Sequence, residues 1–274
     1  QNILDEFSSP GFHVEAEELS IPMMTRIEEV EEKREYLLSR YLKPPKVVVF
    51  IGDPAWLVCQ PLFDKEWKDI PTVICYSRDS MPRSLENFVN KDFLGEGKFV
   101  LTEVATAGYN LTVIKQPFYV KNTIDLIRRL QPEVKKIALI SDDRYISAMV
   151  REEVCGVLEK DFPELKLDLL TSIDISTEKL LDTLMGYSRE VGIIYNSWFV
   201  GKKQSESHYL SDNLQKIIYG FVDAPVFTLT EMDMETGAFA GGYFISASTF
   251  GKVAVQTIRQ ILDGVPARNV EGRI

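Results

Sequence analysis

The sequence predicts an α/β fold built as two Rossmann-like lobes with parallel sheets and a cleft between the lobes. The same pattern occurs twice: Lys46 to Asp53 (KVVVFIGD) leads through a helix-like stretch to Asp69 to Asp79, and Val191 to Ser197 (VGIIYNS) leads likewise to Asp223 to Asp233. Short apolar runs alternate with helix-length segments, which implies parallel βαβ units with right-handed crossovers. The 274 residues, 45% of them hydrophobic, can bury a full core and at this length divide more naturally into two domains. Open parallel sheets bind ligands just beyond the carboxyl ends of their strands, so small-molecule recognition is the first functional expectation.

Ile3, Leu4 and Phe7 give a short helix closed by Pro10 and Gly11, and Phe12 to Ile21 alternates as a strand. Met23 to Tyr41 has helical periodicity and is stopped by Pro44 and Pro45. Val47 to Ile51 is continuously apolar, as in a strand covered on both faces. A Gly52-Asp53-Pro54 turn, a helix from Ala55 to Phe63 and a buried strand from Thr72 to Tyr76 follow. Arg78 to Gly97 has little periodicity and reads as a long loop or lid. Phe99 to Val104 and Tyr109 to Lys115 are short strands. Asn122 is placed as the cap of a helix whose apolar face is Ile124, Ile127 and Leu130, with Pro132 after its end.

The second lobe continues with strands at Ile137 to Ser141, Leu165 to Leu170, Val191 to Tyr195 and Val226 to Leu229. Helices lie at Arg144 to Leu158, Ser176 to Tyr187 and His208 to Tyr219. Ala238 to Ser246 is a Gly-interrupted strand in which Gly241-Gly242 marks close backbone packing at a hinge rather than a phosphate-binding loop. Phe250 to Leu262 is a helix ended by Gly264 and Pro266. Lobe one is expected to span 1–116 plus 234–274, and lobe two 117–233.

The net charge of −10 and pI near 4.9 argue against a nucleic-acid surface, which needs clustered Lys and Arg. The run Glu28, Glu29, Glu31, Glu32, Lys33, Arg34, Glu35 reads as a solvated helix face. Cys59, Cys75 and Cys155 lack metal-ligand spacing and read as small buried hydrophobes. No window of about 18 apolar residues exists, so no membrane-spanning helix is expected within the segment. The chain opens without Met or a signal peptide and is read as an excised piece.

Three segments resemble a known family. Asn110 to Asp143 (NLTVIKQPFYVKNTIDLIRRLQPEVKKIALISDD) is similar to the crossover and first lobe-two strand of the substrate-binding-protein-like domains of bacterial sensor histidine kinases. Lys46 to Ser77 resembles the end of their first lobe, and Pro225 to Gly264 their closing segment. The resemblance implies a periplasmic binding protein type I-like fold in the extracytoplasmic part of an inner-membrane protein. It further implies a membrane-anchored, often hybrid two-component kinase as the parent chain, and signalling by lobe closure or rearrangement of a homodimer. The alternative is a free solute-binding protein of an ABC importer. The family begins with a strand before its first helix, whereas this chain starts at about that helix, so no residue is carried over there.

Residues just past the strands supply the expected ligand contacts: Asp53, Pro54 and Trp56; Tyr76, Ser77 and Arg78; Asp142 and Asp143; Asn196, Ser197 and Trp198; and Asp233. The rings of Trp56, Tyr76 and Trp198 could stack on a sugar or heterocycle, with Asp or Asn fixing its polar groups. At Asp53, Asp142 and Asn196, capping of the next helix competes equally with ligand contact. Trp198 is expected in the cleft rather than the core, because it follows a polar Asn-Ser pair. With Arg78 as the one expected cation, a neutral polar or cationic ligand such as a sugar or amino acid is favoured over a multiply charged anion. No cofactor, metal or nucleic acid is expected. His13 and His208 have no nucleophile partner in sequence, and hydrolase, Walker and metalloprotease motifs are missing, so the chain reads as a binder, not an enzyme.

Overall fold

The structure is a computed structural model describing residues 13–21, 24, 26–93, 95, 97–200, 211–231, 234, 237–272 and 274, with the backbone alone at 211–213. The helix expected at Ile3 to Phe7, the His208 start of a later helix and Asp233 lie outside these residues. The chain forms two compact units, Gln1–Pro117 with Ser246–Ile274, and Phe118–Ile245.

In the first unit, α1 (Ile27–Arg40) buries Val30 and Leu37 and turns most of its acidic run to solvent. It is followed by β1 (Val48–Ile51), α2 (Asp53–Phe63) and β2 (Thr72–Ser77). Next come β3 (Ser80–Pro82), α3 (Leu85–Val89), β4 (Phe99–Leu101), a short α4 (Thr102–Ala105) and β5 (Leu111–Lys115). The parallel sheet runs β1-β2-β5, and β3 and β4 pair antiparallel beside it.

Residues 13–20 form no strand; instead Arg40 and Tyr41 at the end of α1 bind Glu15 and Glu17, at 3.0 and 2.8 Å, so side-chain bonds rather than a sheet ladder hold the segment. Among the described residues β1 is an edge strand, half-buried at Val48 and Val49 and open at Ile51, not covered on both faces. The supposed loop from Arg78 to Gly97 holds β3 and α3. Arg83 there ties itself to Lys98 and Gly97 (2.9 and 2.7 Å), and Ser84 caps α3 by accepting from the Asn87 N–H. The strand expected to reach Val104 stops at Leu101 and turns into α4.

The second unit contains α5 (Val120–Leu130), β6 (Lys136–Ser141), α6 (Tyr145–Asp161), β7 (Lys166–Thr171), α7 (Thr177–Met185), β8 (Val191–Tyr195), α8 (Ser211–Phe221) and β9 (Val226–Thr228). Its sheet is parallel throughout, in the order β7-β6-β8-β9. Strand alternation divides its core in two. Ile137 and Leu139 of β6 pack with Ile124 and Ile127 of α5 and with Val150 and Val154 of α6; Ala138 and Ile140 pack with Leu180, Ile193 and Leu214 on the other face. Each such aliphatic side chain contributes about 1.5–3 kcal/mol by leaving water. Asn122 does not cap α5: the helix starts at Val120 behind Tyr119, and Leu130 is exposed while Ile124 and Ile127 are buried.

The segment expected as a strand from Ala238 to Ser246 makes one bridge, between Gly241 and Phe227. It is nevertheless fastened to the second unit, because Ala240 donates to the Val226 carbonyl (2.8 Å) and the Tyr243 N–H to Thr123 Oγ1 (3.1 Å). The chain therefore returns to the first unit at Ser246 rather than at Met234. There α9 (Ala247–Leu262), capped by Ser246, and a 3-10 turn at Ala267–Asn269 complete that unit, with Thr112 Oγ1 on β5 donating to the Val270 carbonyl (2.6 Å).

Gly242 is the tightest of these contacts, since a Cβ there would collide with the Thr228 carbonyl. Gly242→Ala is expected to destabilise the protein by about 1–3 kcal/mol. Gly220, with open space around its Cα, serves as the control: Gly220→Ala should be neutral or stabilise by about 0.5–1 kcal/mol. Denaturation midpoints check both.

Candidate functional site

In the second unit both faces of β6 are filled with apolar side chains, so polar residues first appear where the strand ends. Ser141 and Asp142 sit there, and both are fully buried. A carboxylate without water needs donors. Asp142 Oδ1 accepts from the Arg144 N–H at 3.0 Å; Oδ2 accepts from Arg144 Nε (2.9 Å), from Arg144 Nη2 (2.8 Å) and from the Ser197 hydroxyl. Ser197 comes from the end of β8, and Arg144 Nη2 also donates to its Oγ at 2.6 Å. On the first turn of α6, Ser147 Oγ accepts from Asn196 Nδ2 at 2.9 Å and lies 3.4 Å from Ser197 Oγ. One helical turn further, Arg151 Nη1 donates to Ser141 Oγ (3.1 Å) and to the Asp142 carbonyl.

Two arginines, three serines, Asn196 and a buried carboxylate thus converge on the carboxyl ends of β6 and β8. Burial pushes the Asp142 carboxyl upward, but the Arg144 charge and hydrogen bonds from Arg144, Ser147 and Ser197 outweigh it and hold the pKa below the ordinary carboxylate value. Burial also lowers the Arg151 pKa, opposed by the charges of Asp142, Asp143 and Asp174. The Arg144 guanidinium lies 5.4 Å from the centre of the Phe199 ring, within cation–π range.

Asp142, Asn196 and Ser197 are joined in one network, with Asp143 beside it and half-buried. Asp142 is not a helix cap: it serves the turn before α6, whose N-cap is Arg144, and Asn196 spends its amide on Ser147. Trp198 is a core residue rather than a cleft residue. It is 2% exposed among Leu180, Leu214 and Phe239, and its indole N–H donates to Thr177 Oγ1 at 3.1 Å. The ring at this strand end belongs to Phe199.

In the first unit Gly52, at φ +88°, is the N-cap of α2, so Asp53 occupies the first helical position, buried, where a negative charge suits the helix dipole, and Pro54 follows it. Trp56 is fully buried against protein rings, 4.9 Å from Tyr109 and 5.4 Å from Phe63 between centroids, and does not present a stacking face. Tyr76 has φ +60°, a strained conformation for a bulky side chain, at the register shift between β2 and β5; its ring stacks on Phe250 at 3.9 Å. Ser77 is fully buried, and Arg78, nine-tenths buried, donates to the Gln116 carbonyl while its own carbonyl accepts from Thr102 Oγ1 at 2.7 Å.

Arg78 is therefore not the sole cation at a strand end. Arg144, Ser147 and Arg151 are the residues that strand-end counting misses, since they belong to the following helix. Their spacing of i, i+3 and i+7 is the available signal: it sets a polar stripe along α6, directed at the end of the strand before it. Of the histidines, His13 is exposed and bonds Glu15 at 2.9 Å, and His208 lies outside the described residues. Cys59 and Cys75 are buried, and burial pushes both thiols up to about 12, whereas Cys155 is half-buried. Among the described residues no group of three or more His, Cys, Asp or Glu could hold a metal, and no helix is long and apolar enough to cross a membrane.

No protein-family model and no curated protein matches the chain. Solved structures do. A conserved domain protein from Vibrio cholerae is 16% identical with a TM-score of 0.59, covering 99% of this chain and 82% of its own. An ABC domain in complex with L-Trp from Streptococcus pneumonia is 17% identical with a TM-score of 0.59, covering 100% and 83%. At these identities the likeness establishes the fold alone: α/β with parallel sheets.

Asp142→Asn leaves Arg144 and Arg151 without their buried counter-charge and is expected to cost about 3 kcal/mol. The folded Asp142 pKa is depressed, so its stabilisation is complete above the ordinary aspartate pKa and is lost as pH falls through the lower folded value. The wild type should thus lose stability on the acid side more steeply than Asp142→Asn, as read by urea melts at a series of pH values. Trp198→Ala should destabilise the ligand-free protein by about 3–5 kcal/mol, the mark of a core residue.

Proposed function

We propose that the chain is a non-catalytic, extracytoplasmic small-molecule-binding protein that holds its ligand at the carboxyl ends of its parallel strands. The observation that carries this reading is the network at the ends of β6 and β8. Five polar or charged side chains, Asp142, Arg144, Ser147, Asn196 and Ser197, are locked in position by one another where parallel sheets recognise ligands. The fold supports it, since a structure sharing that fold at this level of likeness is a complex with L-Trp.

Of the two roles compatible with binding, delivery of a solute to an ABC importer is the better supported, because that neighbour is itself an ABC domain. The second reading is the ectodomain of a membrane-anchored sensor histidine kinase, in which the ligand changes conformation or dimer arrangement. It rests on the resemblance of Asn110 to Asp143 and Pro225 to Gly264 to such sensors. In either role the ligand shifts a conformational equilibrium only by its differential affinity for the two states.

A thermal-shift screen over sugars, amino acids, nucleosides and polyamines tests the binding reading. A cognate ligand at about 100 times its Kd adds ~2.7 kcal/mol to the native state and raises Tm in proportion to log concentration. Stoichiometric binding without product is expected, and turnover of the bound compound would contradict it. Ligand-dependent stimulation of a partner permease's ATPase identifies a carrier, whereas ligand-dependent autophosphorylation of the parent chain identifies a sensor.

A further inference from the structure

The arrangement of Arg144 narrows the ligand class at the strand-end network. Asp142 is fully buried and engages one edge of the guanidinium, through Nε and Nη2, while Nη2 also binds Ser197. The Arg144 side chain itself remains 38% exposed, and its Nη1 has no hydrogen-bond partner among the described residues. A structural ion pair in a core hides both members; here the anion is hidden and the cation is held at the surface with donors to spare. The Phe199 ring behind the guanidinium and the Ser197 hydroxyl fix its plane, which removes most of the rotamer entropy that an arginine loses on binding.

The charge balance sets the size of the anion. The Asp142 carboxylate is engaged by Arg144, while Arg151 donates to the Asp142 main-chain carbonyl and feels the charges of Asp142, Asp143 and Asp174 from the same end of the sheet. A multiply charged anion meets these carboxylates, whereas a single carboxylate finds the N–H donors of Nη1, the one guanidinium nitrogen that Asp142 and Ser197 leave open.

We propose that the ligand carries one carboxylate, in the manner of an α-amino acid or other small monocarboxylic acid, and that the Arg144 guanidinium receives it. This rests on the reading of the network as the binding site, and it narrows the expected neutral polar or cationic ligand, such as a sugar or amino acid, to one that carries a carboxylate.

The experiment titrates the intact protein with each of the common L-amino acids, with the matching amides and decarboxylated amines, and with a set of neutral sugars and polyamines, by thermal shift and calorimetry. At least one carboxylate is expected to bind, with its amide and amine at least about tenfold weaker. Arg144→Gln should weaken that carboxylate at least about tenfold, and Arg144→Lys, which keeps the charge but cannot hold Asp142 and Ser197 while presenting an outer N–H, should recover only part of the loss. If Arg144→Gln fails to fold because Asp142 is left unpaired, the Asp142→Asn/Arg144→Gln variant carries the same test. Equal binding of acid and amide, or unchanged affinity in the Gln variants, overturns the proposal. Stabilisation by sugars or polyamines alone overturns it while leaving small-molecule binding intact, and absence of binding by every class overturns both.

Discussion

A charge without access to water must be answered by other groups, and Asp142 is where this constraint acts on the second unit. Its strand, β6, is covered on both faces, so the carboxylate at its end is fully buried. Desolvation alone would cost several kcal/mol and drive the group toward its neutral form. Instead Arg144 at the N-cap of α6 and Ser197 past the end of β8 answer the carboxylate directly, while Arg151 holds Ser141 and the Asp142 carbonyl and Asn196 holds Ser147. Satisfying one anion thereby fixes the entry of a helix, the exit of a second strand and the orientation of the Arg144 guanidinium. A buried charge is held rigidly when its own acceptors are answered, and Asp142 meets that condition through the Arg144 N–H, Arg144 Nε and Nη2 and the Ser197 hydroxyl.

The two units use their strand ends differently. In the first unit, Arg78 is consumed by main-chain carbonyls, Trp56 by neighbouring rings and Tyr76 by its stack on Phe250. In the second unit the polar groups hold one another and leave the Arg144 edge open. Tyr76 keeps an uncommon backbone conformation worth roughly 1–3 kcal/mol, which the stack on α9 and the register shift between β2 and β5 sustain. Such strain draws attention to the residue, but its ring already has a partner in the protein.

Much of the fold was legible because parallel strands covered on both faces write continuous apolar runs. Ile137 to Ser141 and Val191 to Tyr195 could be read almost to the residue, and Ser176 announced the start of α7. The failures share a cause. Short elements such as β3 and α3 are held by particular side-chain bonds, among them Arg83 to Gly97 and the Ser84 cap, that leave no periodicity. The alternation of 13–20 resembled a strand because Glu15 and Glu17 both reach the end of α1. Strand ends located Asp142, Asn196 and Ser197, but Trp198 was misread, since a polar Asn-Ser pair before it does not reveal that its indole turns back to Thr177. Arg144 and Arg151 escaped because their partnership with Asp142 is a property of the turn and helix together.

Binding at the second unit's strand end is the claim on which the functional account stands, and an NMR titration with any compound that stabilises the protein tests it most directly. The Arg144 Nε–H and the amides of Ser147, Asn196 and Ser197 are expected to shift saturably, with one dissociation constant equal to that from calorimetry. Those signals standing still while others move, for instance around the groove lined by Leu19, Met24, Lys33 and Tyr36 in the first unit, would contradict it.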